Sequence, residues 1–174
     1  MANTTRPRVY VACLASYNAG TGHGLWIAVS DADTMHDAIG EVLSTSLEPG
    51  AEEWAIHDYD GFPSAIADSL GEHPDLEAVV LHAGMLVEHG DAWTAYVDWK
   101  GLSVTPSEDD FEEAYLGVYD NPGDYAEEHL TDTDSLSGLA EGLRVYFDFE
   151  AFERDMCLSG DIYRSDDGHV FLNL

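Results

Sequence analysis

The residues most suggestive of catalysis are Pro74-Asp75 together with Asp98-Trp99-Lys100. Two carboxylates and a lysine in that loose pattern could hold Mg²⁺ and orient an attacking water, the chemistry of a metal-dependent nuclease. Both segments read as helical, which is wrong for that site, and a chain of net charge −29 repels a polyanionic substrate. Asp58-Tyr59-Asp60-Gly61 hints at a calcium loop, but Ser69 stands where a closing Glu is needed. His57 beside Asp58 has the residue types of an acid–base pair, yet adjacent strand residues point to opposite faces. The eight histidines form no His-Glu-x-x-His pattern, and no Gly-x-Ser-x-Gly elbow, phosphate loop or dinucleotide fingerprint is present. The sequence asks for no catalytic residue, metal or cofactor.

The elements that would carry these residues belong to a folded chain. Its 174 residues can bury a real core, and an apolar share of 45% with 11% aromatics excludes a disordered acidic tail. Arg8–Ser16, Leu25–Val29 and Glu53–Tyr59 read as strands, with a loop over Tyr17–Gly24. Thr34 reads as the cap of a helix that buries Met35, Ile39 and Val42. Short helices are expected over Pro63–Leu70, Pro74–Glu88 and Asp91–Trp99, then over Glu108–Leu116, Gly123–Leu130 and Asp148–Leu158. Ser165-Asp166-Asp167-Gly168 suits the turn of a closing hairpin. The fold class is α+β in three small domains: an α+β unit over 1–61, a helical unit over 62–105 and an α+β unit over 106–174. Cys13 and Cys157 read as two buried free thiols. No signal peptide or apolar run of membrane length is visible, so the expected location is the cytoplasm.

Charge is the feature that discriminates. Thirty-five acids stand against six bases. Val9–Trp99 holds 16 acids without a Lys or Arg, and Gly101–Leu143 holds 12 more on the same terms. Such acids have no i,i+4 basic partners to support their helices. Nucleic acid is excluded as a partner, because no basic patch exists to neutralise phosphates. A strongly basic groove is the natural complement. At one charge per ~1.7 Å of duplex, the excess matches roughly 50 Å of B-DNA. A halophile surface would look similar by charge alone.

Four blocks in order resemble the ArdA antirestriction family over nearly the whole chain. They are Arg8–Val29, Glu52–Phe62, Phe111–Asp120 with Asp124–Glu128, and Phe147–Asp155 with Ser159–Asp161. Val118 and Phe149 depart from the family's common acidic and Tyr residues. The resemblance implies a curved, elongated protomer that dimerises through its C-terminal domain. It also implies binding, in place of DNA, to the methyltransferase core (specificity and modification subunits) of type I restriction–modification enzymes. Glu108, Asp109, Asp110, Glu112, Glu113, Asp120, Asp124, Glu127, Glu128, Asp132 and Asp134 would then be phosphate surrogates acting as a distributed field. Phe111, Ala114 and Tyr115, at i, i+3 and i+4, would either form the homodimer contact or pack the domain's own core. The rival reading is an acidic mimic or adaptor aimed at another basic DNA-binding protein.

Overall fold

The protein is described by a computed structural model covering residues 6–101 and 106–174. Thr105, the expected end of the second domain, lies outside the described residues. Among the described residues the fold is α+β, with nine helices and two three-stranded antiparallel sheets. The chain divides into two compact units, Met1–Thr105 and Pro106–Leu174.

In the first unit, β1 (Arg8–Cys13) lies between β2 (Gly24–Ala28) and β3 (Trp54–Asp60). Strand alternation sends Val9, Val11 and Ile27 to one face. There they meet Met35 and Ile39 of α2 (Ala32–Ser44) and Leu76, Val79 and Ala83 of α4 (Leu76–His89). The helix after the strands and one from the helical segment therefore share a core. Two expectations about local structure are corrected. The first strand stops at Cys13, and Leu14–Asn18 turn into a short helix, α1, where a strand end and loop were expected. The cap of α2 is Asp31, three residues before Thr34. The Asp31 carboxylate accepts from the Thr34 amide at 2.8 Å and from its hydroxyl at 2.8 Å. Those bonds hold the Asp31 pKa below the usual carboxylate range.

The helices α3 (Ser64–Leu70), α4 and α5 (Asp91–Lys100) complete this unit. Trp93, fully buried on α5, donates its indole N–H to Nδ1 of buried His82 on α4 at 3.1 Å. The imidazole must be neutral to accept there, and burial pushes its pKa down.

In the second unit β6 (His169–Leu172) lies between β4 (Tyr115–Val118) and β5 (Ile162–Arg164). The helices are α6 (Glu108–Ala114), α7 (Asp124–Asp132), α8 (Glu141–Arg144) and α9 (Phe149–Ser159). The helix expected over Glu108–Leu116 thus ends at Ala114, and the chain enters β4 instead. Tyr115 pairs with Phe171, and the register slips by a bulge before Gly117 meets Val170. Cys13 is buried and Cys157 half-buried, and both are free thiols.

The buried His82 gives a signed pH dependence. Its folded pKa lies below the unfolded value of about 6.5, so the unfolded chain takes up a proton first. The His82–Trp93 contribution is complete above pH about 6.5 and is lost as pH falls through and below it. Urea unfolding of His82→Phe, compared with wild type at several pH values, is expected to show a shallower loss of stability on acidification. Equal slopes would remove His82 as the cause.

Candidate functional site

The acidic surface of the second unit starts on α6. Ser107 caps this helix by accepting from the Asp110 amide at 3.0 Å. Glu108, Asp109 and Asp110 fill the first turn, where the helix dipole favours negative charge. The inward face of the same helix carries Phe111 and Ala114, each only 1% exposed. Phe111 stacks on Tyr115 at 5.2 Å between ring centroids and packs against Phe171. Tyr115, half-buried, shares a hydrogen bond of 3.1 Å with His169 Nδ1. Phe111 and Ala114 therefore fill the protomer's own core, with Tyr115 at its margin.

The second acidic element, α7, is held by a residue that the sequence reading passed over. Glu153 of α9 is 2% exposed, and its Oε2 accepts from the Gly123 amide at 3.0 Å and the Ala126 amide at 3.3 Å. It thereby caps α7 from another helix. Arg164 of β5 donates to Glu153 Oε1 at 2.9 Å and to the Tyr119 carbonyl at 2.6 Å. One buried pair fastens α7, α9, β5 and the turn after β4 together. The chain enters α7 at Gly123 with φ +92°, and an added Cβ would sit 2.7 Å from the Glu150 amide nitrogen. A side chain there meets both strain and collision.

From this base the acids point outward. Of the eleven predicted surrogates, ten are exposed, and Asp124 alone is half-buried. Asp124 has a local duty, since its carboxylate accepts from the Asn121 amide at 3.1 Å and side-chain amide at 3.0 Å. Glu128 accepts from the Tyr119 hydroxyl at 3.2 Å. Burial, and then the Glu128 charge, push the Tyr119 phenol up to about 12. Among the described residues two ion pairs form, Arg8–Asp60 and Glu153–Arg164. None of the eleven surrogate acids belongs to either.

The decoys fall apart in space. Asp75 caps α4 by accepting from the Glu77 amide at 3.0 Å, and the Lys100 ammonium lies 4.0 Å from the Trp99 ring centre. Asp58 accepts from its neighbour's amide, while Asp60 is engaged by Arg8. Among the described residues, no three His, Cys, Asp or Glu side chains converge as metal ligands. No helix among them is long and apolar enough to cross a membrane.

The protein is thus an acidic α+β protein in which, among the described residues, none of the eleven predicted surrogates is ion-paired. The sequence model of the antirestriction protein (ArdA) family matches residues 9–171, and the chain belongs to that family. No curated protein matches the chain.

Removing Glu153 tests how the acidic helix is held. Glu153→Ala leaves half-buried Arg164 without its carboxylate and frees the α7 amides, an expected loss of about 3 kcal/mol in denaturant unfolding. Replacing Arg164 by Met in the same chain is expected to restore part of it. A loss under ~1 kcal/mol would contradict the anchoring role.

Proposed function

We propose that this chain inhibits type I restriction–modification enzymes by presenting carboxylates in place of DNA phosphates. Its targets are the specificity and modification subunits of the methyltransferase core, in the cytoplasm. It works without catalysis, as a homodimer. The observation that carries this reading is the outward, unpaired placement of the acids on α6 and α7. Membership of an antirestriction family supplies the biological context. A basic groove built for B-DNA gains from each such carboxylate a small, screened attraction, and many together displace the duplex.

Dimerisation draws its support from the stretch Ser135–Phe147. It contains one acid and one base, Glu141 and Arg144, in a chain of net charge −29. Leu143, Val145 and Tyr146 stand exposed on it. Two copies of so acidic a chain can meet at low electrostatic cost only over such an acid-poor surface. Tyr115 is the member of the Phe111, Ala114 and Tyr115 trio with surface left to give to a second copy. The other two hold α6 in place from beneath.

The decisive measurement is competition between this protein and duplex DNA for a purified type I methyltransferase at several salt concentrations. Displacement is expected, and it should weaken steeply as salt rises. Glu127→Gln alone should change the inhibitory concentration less than about twofold. Joint neutralisation of Glu108, Asp109, Asp110, Glu112 and Glu113 should weaken it by about tenfold or more. A single neutralisation that abolished inhibition in a folded protein would defeat the distributed-field account. Sedimentation of the Val145→Asp, Tyr146→Asp double variant should show a monomer where wild type is a dimer.

A further inference from the structure

The open face of the first sheet carries chemistry that neither the core nor the acidic helices use. Strand alternation that buries Val9, Val11 and Ile27 turns Arg8, Tyr10, Trp26, Asp58 and Asp60 the other way. Register brings them side by side: Tyr10 lies between Trp26 and Asp58, and Arg8 is paired with Asp60. The rings of Tyr10 and Trp26 meet edge to face at 5.5 Å. Tyr10 can lie down there because Gly24 has no Cβ, which would come within 2.8 Å of its ring and 2.5 Å of the Val11 carbonyl. Trp26 keeps 38% of its surface in solvent, although a buried position would be worth about 2–3 kcal/mol to so large a side chain.

The face already holds one guanidinium. Arg8 sits 5.2 Å from the Trp26 ring centre, and its Nε donates to Asp60 at 3.0 Å. An aromatic plate with a carboxylate at its edge is the arrangement that selects a planar, weakly hydrated arginine over a compact, strongly hydrated lysine. A second guanidinium nitrogen, Nη2, donates to the same Asp60 oxygen, but the pair is open to solvent, with side-chain exposures of 45% for Arg8 and 49% for Asp60. An ion pair so open to solvent is readily exchanged. The second carboxylate, Asp58, has no basic partner among the described residues.

We propose that this shelf is an arginine-binding site, at which a guanidinium of the basic partner stacks on Trp26 and Tyr10 between Asp58 and Asp60, displacing Arg8. For its biological partner the inference rests on the reading above; its chemistry stands by itself. A distributed field of carboxylates does not distinguish Arg from Lys. The shelf does, and gives the acidic surface a point of discrimination that uniform charge lacks. Arg8 then acts as an internal competitor that keeps the plate covered until a partner arrives.

The test uses the whole folded chain and two probes, a hexa-arginine and a hexa-lysine peptide, titrated calorimetrically at about 0.15 M salt. Wild type is expected to bind the arginine peptide about fivefold more tightly than the lysine peptide. Trp26→Leu should abolish that preference by lowering the arginine affinity to that of lysine, in a chain that still folds because Trp26 lies outside the core cluster. Arg8→Met should enlarge it by emptying the shelf. Equal binding of the two peptides by wild type, or a preference that survives Trp26→Leu, overturns the proposal. These outcomes do not depend on any restriction enzyme. Failure to displace DNA from the methyltransferase strikes the functional reading, and loss of the arginine preference strikes the shelf.

Discussion

The second unit depends on a buried carboxylate. Glu153 is the acid that the fold takes inside, and it does three jobs at once: it caps α7, pairs with Arg164 and ties α9 to the sheet. Burying such a pair is costly in itself, and replacing it with apolar side chains can be neutral or better for stability. Its use here follows from what surrounds it. Helix α7 carries Asp124, Glu127, Glu128 and Asp132, and its own charges repel one another with no basic side chain at i+4 to relieve them. A helix so loaded gains little from local pairing, so its N-terminus is fixed by tertiary contact.

The same constraint explains how the few cations are used. Of six bases, Arg164 braces the interior and Arg8 lies across an aromatic plate, each bonded to one carboxylate. Most of the remaining carboxylates face water, where the high dielectric lets them coexist. Stability then has to come from apolar burial, and the chain supplies it in separate clusters, one around Val9, Ile56 and Val79 and another around Tyr125, Ile162 and Val170.

Much of this was legible in the residues. The core strands showed their alternation, and α2 its buried Met35, Ile39 and Val42, because periodicity reports burial directly. The exposed acids needed only their number and the scarcity of Lys and Arg. What escaped was governed by contacts distant in sequence. Tyr115-Leu116 continue the helical pattern of α6, and they enter a strand because Phe171 and Val170 lie opposite β4. Asp31 outcompeted Thr34 as a cap by one turn, a choice that sequence leaves balanced when both residue types are good caps. Glu153 looked like one more surface acid in Phe-Glu-Arg-Asp. The signal available was weak: an acid on the same helix face as half-buried Phe149, Met156 and Cys157, which a solvated carboxylate should avoid. Phe111, Ala114 and Tyr115, expected on one helix face, are divided between α6 and the first residue of β4, and spacing alone does not say whether such residues look inward or toward another chain.

Each sheet is small, and its outer strands, β2 and β3 in one and β4 and β5 in the other, leave hydrogen-bonding edges facing outward. Exposed edges of that sort invite stacking of copies into larger aggregates, and proteins commonly guard them with lysines, prolines or covering loops. Among the described residues, β3 receives backbone cover from the Glu72 carbonyl at the Ile56 amide. The protection is mutual repulsion: any second copy approaching edge to edge brings its own surplus of carboxylates. The surplus of carboxylates therefore doubles as a colloidal safeguard, and a variant stripped of acids would lose solubility.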